Sequence, residues 1–368
     1  MLSSLNAGGI EKWLCDLTIE NSVDRKLELV YCINSEQCSS DFFEDKIKEY
    51  GGRVIKIDAP SRGRFKYFGT LFRVMRREKF DVVHAHSFFF SGLVLAVAYF
   101  ARVSRRVAHS HNNKNSVPKY RTVVGFLYAT TMRLFLGIFS NKRLAVSPEA
   151  GRFLFGECGY DIVPCGVDFL LDGSNLGALE LPVDKDKYLI LAHVGSFTEQ
   201  KNHEFMAEMA RLIAAKGKGS NVLFLFIGDG PLRLQIEEEF LKANACAIFL
   251  GLRSDVKEIL YKYADVFIFP SKYEGLGLVA LEAQSQGLFC ILSNNVPKSA
   301  VILDDVLTLD VGDDDPAKWV EVILSLDKKH IMMAKIDRAK RALDALGESP
   351  YTVKASLNAL INVYNGIV

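Results

Sequence analysis

The sequence predicts an α/β fold of two doubly wound parallel-sheet domains. Three observations carry that prediction. The chain has 368 residues, 49% of them hydrophobic, which is enough for two cores. Short β-rich runs alternate with helical stretches from end to end, as strands joined by crossover helices do. Nearly all of those runs are continuously apolar, as expected for strands buried on both faces of a parallel sheet.

In the first half the strand candidates are 27–33 (LELVYCI), 52–57 (GRVIKI), 81–86 (DVVHAH), 105–111 (RRVAHSH) and 142–146 (KRLAV). In the second half they are 188–195, 222–228, 247–251, 265–271, 288–293 and 306–310. Between the halves, 165–187 is rich in Gly and Asp, carries a Pro and lacks periodicity, so it reads as the linker. The domain boundaries are therefore 1–168 and 169–349, both Rossmann-like. A terminal helix over 350–368 follows and is expected to pack back on the first domain. The opening residues, MLSSLNAGGIEKWLCDL, read as the end of a strand, a glycine turn and a helix. The first strand of a doubly wound sheet is central, and here it is almost missing. The expectation is that the true protein begins several residues upstream, through truncation or a misassigned start. A stop codon directly upstream of Met1, with a well-folded product, would defeat it.

Formal net charge is +1, so the whole chain carries no field for nucleic acid. That balance hides an asymmetry. From Arg62 to Arg152 there are 17 Lys and Arg against three acids, Glu78, Asp81 and Glu149, a net of +14. A basic field of that size suits an anionic ligand or membrane surface. Seven cysteines (15, 32, 38, 158, 165, 246 and 290) are scattered, odd in number and without a C-x-x-C pair. This fits a reduced, cytoplasmic compartment. No signal peptide opens the chain. The most apolar run, 91–101, is shorter than the roughly 20 residues a span needs. The protein is expected to be soluble or peripheral.

Chemistry concentrates in SKYEGLGLVALEAQSQG, residues 271–287. Glu274 falls in the turn after a strand, and Glu282 about one turn inside the next helix. Gly275 and Gly277 let backbone approach a ligand closely. The amides of Gly277, Leu278 and Val279 at a helix start form an anion site. Ligands of open α/β sheets bind at the carboxyl ends of strands, where this turn lies. The turn can hold a phosphate while the two carboxylates accept hydrogen bonds from hydroxyls, the pattern of a sugar on a nucleoside diphosphate. The bland alternative is a helix N-terminus with Glu274 near the dipole and Glu282 in a salt bridge. Three more strand–turn–helix junctions lie at 193–203 (HVGSFTEQKNH), 226–233 (FIGDGPLR) and 249–260 (FLGLRSDVKEIL).

Together with SSLNAGGIEKW, DVVHAH and RRVAHSHN, these motifs resemble glycosyltransferase family 4 over nearly the whole chain. The resemblance is strongest to the branch that builds capsular and exopolysaccharides. Glu274 and Glu282 match the family's E-x7-E signature. The resemblance implies the glycosyltransferase B fold of two facing Rossmann-like domains, with the acceptor on the first and the nucleotide-sugar donor on the second. It implies retaining, metal-independent transfer of a hexose or N-acetylhexosamine from a nucleotide diphosphate sugar to a lipid-linked or oligosaccharide acceptor. Glu274 would take sugar hydroxyls and Glu282 the ribose, with Leu276 in the donor-binding turn between them. Lys201, beside Asn202, would neutralise the diphosphate with the Gly277–Val279 amides. Gly228 would line the donor side, Leu252 and Arg253 would frame the base, largely through backbone, and Gly8 and Gly9 would approach the donor phosphate or acceptor. His111, ahead of His109 by register, would stand near the reacting centre. No cofactor is implied. A UDP-sugar is favoured over a GDP-sugar.

Ser196 stands where the family commonly has Arg, so one diphosphate cation is absent. A lost charged contact costs about 1.5–3 kcal/mol. Cys165 replaces the usual Asn of the linker motif, and no base accompanies it to make a nucleophile. The pairs His84/His86 and His109/His111 end two strands; a His-x-His pair can bind metal, but the sequence shows no third ligand at suitable spacing. The residues alone also leave open a non-catalytic nucleotide-sugar binder, a nucleotide-sugar epimerase and, on the glycine turns, a nicotinamide oxidoreductase. The oxidoreductase reading is weak, because GDGP at 228–231 lacks the third glycine of the dinucleotide fingerprint. Finally, 62–80 and 113–143 interleave bases with aromatic and apolar residues. This suits an anionic membrane interface and a lipid diphosphate acceptor better than single-stranded nucleic acid.

Overall fold

The computed structural model describes residues 1–2, 5–6, 8–34, 42–113, 122–157, 159–169, 180–182, 184–217, 221–312, 315–347 and 349–367. Residues 170–179 and 183 of the expected linker lie outside that set, as do 114–121 of the basic stretch, Cys38, Cys158, Asp313 and Asp314.

The chain runs α1 (Gly9–Asp24), β1 (Val30–Asn34), α2 (Glu44–Glu49), β2 (Arg53–Ile57), α3 (Arg64–Glu78), β3 (Val82–Ala85), α4 (Ser91–Phe100), β4 (Arg105–Ser110), α5 (Val123–Phe139), β5 (Lys142–Ala145), α6 (Pro148–Phe155) and β6 (Asp161–Ile162). It continues β7 (Leu189–Val194), α7 (His203–Ala215), β8 (Val222–Ile227), α8 (Arg233–Lys242), β9 (Cys246–Phe249), α9 (Val256–Tyr263), β10 (Val266–Phe269), α10 (Leu278–Ser285), β11 (Phe289–Ser293), β12 (Leu307–Leu309), α11 (Pro316–Ser325), α12 (Lys328–Met333), α13 (Lys335–Gly347) and α14 (Val353–Asn365). All eleven expected strands are present, with ends shifted by a few residues. The two-residue β6, paired with β5, is too short to leave a periodicity.

The chain divides into two compact units, Met1–Gly166 with Pro350–Val368, and Val167–Ser349. The second unit holds a parallel sheet of order β12-β11-β10-β7-β8-β9. Strands β8 and β10 are buried along their whole length, which is why their sequences are unbroken apolar runs. Phe224, Phe226, Phe240, Phe205 and Trp319 fill one face of this sheet. The chain's winding reverses between β7 and β10, which pair with each other. The turns after these two strands therefore open at the switch point where such sheets bind ligands.

In the first unit β3-β4-β5-β6 form one parallel sheet and β1-β2 a separate parallel pair. Edge strand β2 is mostly accessible, so its apolar run does not mean burial on both faces. Helices α5, α6 and α14 start on side-chain caps from Thr122, Ser147 and Thr352, each accepting from the amide three residues on. Gly92 on α4 lets that helix touch α5; a Cβ there would lie 2.9 Å from the Met132 carbonyl. Helix α14 packs on α1, where the Trp13 indole donates to Ser356 Oγ at 3.0 Å.

Met1 and Leu2 lie where a central strand would run. The Met1 amine donates to the His84 carbonyl, the His86 amide to the Met1 carbonyl, and the Leu2 amide to the Cys32 carbonyl. They bridge the inner edges of β1 and β3 at one end only. Beside them is a cavity of about 480 Å³ lined by Leu27–Cys32, Phe80–His84 and residues of α14.

Candidate functional site

In the second unit, the turns after β7 and β10 are stitched together. The Lys272 amide donates to the Gln200 carbonyl at 2.8 Å, and Gln200 Nε2 to the Tyr273 carbonyl at 3.1 Å. Asn202 Nδ2 donates to the Pro270 carbonyl at 3.1 Å. The fourth link is ionic: Lys201 Nζ donates to Glu274 Oε1 at 2.7 Å. Lys201 Nζ also sits 4.6 Å from the Phe269 ring centroid. Glu274 is only 6% exposed, so the pair is largely withdrawn from water, where charges interact far more strongly than at the surface. Gly277 takes a left-handed conformation (φ 85°, ψ 50°) and opens α10. No acid lies in that first turn, and the amides of Gly277, Leu278 and Val279 have no acceptor within the helix. Glu282 lies on the same helix and is 5% exposed. Between them these groups offer a cation, a carboxylate and open amides at one strand edge, as a phosphorylated polyol requires.

Other expected donor contacts have different places. Asn202 is buried and spent on Pro270, so it holds the turn together. Gly228 (φ 138°) is a packing glycine, since a Cβ there would lie 2.1 Å from the Gly195 carbonyl. The Arg253 guanidinium grips Asp255 through two bonds, holding that carboxyl below its usual range, which leaves the backbone of Leu252 and Arg253 as the part available to a base. Leu252 is exposed. Ser196 is exposed at the end of β7 and brings no charge. His193 and His203 are buried, and burial lowers them to about 3 and about 2. They are core groups, stacked among Phe197, Phe226 and Phe269.

The first unit gathers four imidazoles. Strands β3 and β4 pair in parallel with His84 opposite Val107. That register puts residues 84, 86, 109 and 111 on one face, because side chains alternate with period two. His109 is 1% exposed and its Nε2 donates to the Val163 carbonyl at 2.9 Å. His84 Nδ1 lies 2.6 Å from the Tyr364 hydroxyl, and His86 Nδ1 lies 2.8 Å from His111 Nε2. His111 Nδ1 lies 3.5 Å from Cys165 Sγ. The Trp13 ring packs against His86, His109 and His111. Burial lowers all four histidines, His109 to about 3, so they are neutral at pH 7. Burial likewise pushes the Cys165 thiol up, away from nucleophilic use. The expectation that no third metal ligand stands near the His-x-His pairs is corrected here. Nitrogens of His84, His86 and His109 lie within 4.8 Å of one another, because strand register joins two distant motifs.

Gly8 opens α1 as its N-cap, but the space beside it is taken: a Cβ on Gly8 would lie 2.3 Å from Glu11 Oε2. Burial raises Glu11 to about 7. Glu11 is thus the carboxyl that a donor phosphate or acceptor approaching Gly8 and Gly9 would meet. Glu11, Trp13, Cys165 and Tyr364 were not singled out as site residues from sequence. Glu11 three residues after Gly8 was the one readable signal, a capping-box spacing.

Residues 8–169 match the profile of Glycosyltransferase Family 4, and residues 181–342 that of Glycosyl transferases group 1. The chain is 29% identical to the putative glycosyltransferase EpsF of Bacillus subtilis (strain 168), over 99% of this chain and 95% of that protein. It is 26% identical to the UDP-Gal:alpha-D-GlcNAc-diphosphoundecaprenol alpha-1,3-galactosyltransferase of Escherichia coli, over 82% and 81%. The crystal structure of Anabaena Alr3699/HepE in complex with UDP-glucose superposes with a TM-score of 0.77 at 13% identity, over 100% of this chain and 98% of that one, a likeness of fold. With one profile on each unit and the reversed strand order at the paired Lys201–Glu274 turns, the chain belongs to glycosyltransferase family 4, has the glycosyltransferase B fold, and is a sugar-transferring enzyme.

Proposed function

We propose that this enzyme moves a hexose or N-acetylhexosamine from a UDP-sugar to a lipid-linked glycan during capsular or exopolysaccharide synthesis. Transfer would retain the anomeric configuration and need no metal at the diphosphate. The observation that carries the reading is the buried Lys201–Glu274 pair beside the open amides of α10. Donor binding would separate the pair. Sugar hydroxyls would take the Glu274 carboxylate, and Lys201 would turn to the diphosphate. Glu282 would accept from the ribose. The acceptor oxygen then bonds to the anomeric carbon as the bond to the diphosphate oxygen breaks, and the acceptor proton goes to the departing phosphate. Lys201 and the helix amides stabilise the charge that develops there, an electrostatic route requiring no Lewis acid. Preference for UDP draws on the E. coli relative and the HepE complex.

Two features of the first unit support a lipid-linked acceptor. An open, mostly apolar pocket of about 890 Å³ runs past Phe68, Phe88, Phe90, Leu93 and Tyr128, with Arg64 on its wall, and reaches His86. Beside it, helix α5 leaves Val123, Val124, Phe126 and Leu127 exposed, Val123 at 78%, and α3 leaves Phe65 exposed. Lipid tails and headgroup phosphates are what such an apolar, basic surface takes up. No described helix is long and apolar enough to cross a membrane, so attachment at the inner face of the cell membrane would be peripheral.

The test is a thermal-shift panel of UDP-, GDP-, ADP- and CMP-sugars against wild type and Glu282→Ala. Transfer to an undecaprenyl-diphosphate-linked acceptor would be followed in parallel. A shift with one UDP-sugar, weakened in the variant and accompanied by transfer, is expected. Binding without transfer or hydrolysis would turn the reading into a non-catalytic binder. Conversion of the donor without acceptor would indicate an epimerase.

A further inference from the structure

The geometry points to a three-histidine site in the first unit, formed by His84, His86 and His109, for a borderline divalent ion of the zinc class. This goes beyond the transferase reading and does not rest on it. Three features of the chain's own residues carry it. One nitrogen from each ring lies within 4.8 Å of the others. On two of these rings one nitrogen, His84 Nε2 and His109 Nδ1, is buried without a hydrogen-bond partner, an arrangement that folded proteins avoid unless something else satisfies the atom.

The third feature is the outer shell. Each ring is anchored through its other nitrogen: His84 Nδ1 to the Tyr364 hydroxyl, His86 Nδ1 to His111 Nε2, and His109 Nε2 to the Val163 carbonyl. Metal-bound histidines are held in this way, with the second nitrogen donating to a fixed partner. The Val163 carbonyl can only accept, so His109 carries its proton on Nε2 and presents a lone pair at Nδ1. If His84 and His86 likewise donate through Nδ1, all three inner nitrogens are lone pairs. His111 then donates from Nδ1 toward Cys165 Sγ, which fits the observed contact. One tautomer set satisfies the whole chain of bonds.

An all-imidazole donor set selects zinc, copper, nickel or cobalt over magnesium or calcium. Bonds of about 2.0–2.1 Å place tetrahedral nitrogens roughly 3.3 Å apart, so the rings would draw in by an ångström or more on binding. Among the described residues this is the one such cluster. It lies within the first unit, whose residues alone supply all three rings and their anchors.

The experiment is a Co2+ titration of the untagged, chelator-stripped full chain. One equivalent should develop the strong visible absorption of tetrahedral cobalt and lose it on adding Zn2+. X-ray absorption of the wild-type zinc form should show three imidazole ligands, a readout that needs no variant to fold. His86→Gln should abolish the bands, and Tyr364→Phe, which removes only the outer anchor, should weaken affinity about 10–100-fold. Absence of stoichiometric uptake, a first shell without imidazole, or bands unchanged in His86→Gln would each overturn the assignment.

Discussion

The two units answer the same strand logic with opposite electrostatics. In the second, the central strand β7 pairs on both sides, and the turns it shares with β10 bury a charged pair, Lys201 and Glu274. In the first, Met1 and Leu2 occupy the corresponding central position, and the strand ends bury neutral imidazoles and a carboxyl raised to about 7. A charged turn suits a diphosphate and its hydroxyl-bearing sugar. Under the proposed function, the neutral, aromatic-walled one would take the acceptor. Fold alone does not choose between these; the side chains at the strand ends do.

The largest effect should come from breaking the charged turn. Lys201→Ala leaves Glu274 buried without its cation, at a cost of about 3–5 kcal/mol read by denaturant melts, and transfer should fall at least about a hundredfold. A variant of wild-type stability and rate would mean that the pair is ornamental. Next is the backbone approach that positions this turn. Gly228→Ala drives a Cβ into the Gly195 carbonyl at a positive φ, and should cost about 2–4 kcal/mol.

Acid should sharpen the contrast. The buried histidines of both units are held neutral when folded, whereas in the unfolded chain they take up protons below about 6.5. The unfolded state then binds more protons, so stability falls as pH drops through 6.5, by up to about 1.4 kcal/mol per pH unit for each histidine. Four of them, His84, His86, His109 and His111, lie in the first unit and two, His193 and His203, in the second. Hydrogen exchange across pH 5–7 should therefore show the first unit opening first; simultaneous loss would refute the comparison. Glu11 works in the opposite sense. Its folded-state value lies above its unfolded one, so the stability of the neutral form is full below about 4.5 and is lost as pH rises toward 7. Glu11→Gln should gain about 1–2 kcal/mol at pH 8 and nothing at pH 4. The smallest effect is Ser196→Arg, which restores a cation at an exposed position; UDP-sugar binding should tighten by about 1 kcal/mol, measured by calorimetry.

Much of this was readable before any coordinates. Continuous apolar runs marked eleven strands, because parallel strands buried on both faces leave that signature. Glycine-rich turns marked where ligands could approach, and Glu274 and Lys201 were legible because they sit in such turns, Glu282 because it follows one turn inside the next helix. The structure adds an intramolecular partner where the same local pattern permits two. Asn202 after a turn reads as a ligand contact, but a neighbouring carbonyl claims it. The Arg253 side chain is held by Asp255, two residues on, a pairing not named from the sequence. Gly228 reads as a ligand glycine but is required by the Gly195 carbonyl.

By itself the sequence determined the fold class, the two-part organisation, and the carboxylates and lysine at the second unit's strand ends. These are local properties: period, apolarity and turn chemistry. Only the tertiary structure decided which of them meet. Lys201 and Glu274 are 73 residues apart in sequence, and His84 and Tyr364 are 280 apart. Strand register set the imidazoles on one face, and the docking of α14 brought Tyr364 to them. Periodicity reports that a face is buried, whereas long-range pairing decides what it is buried against.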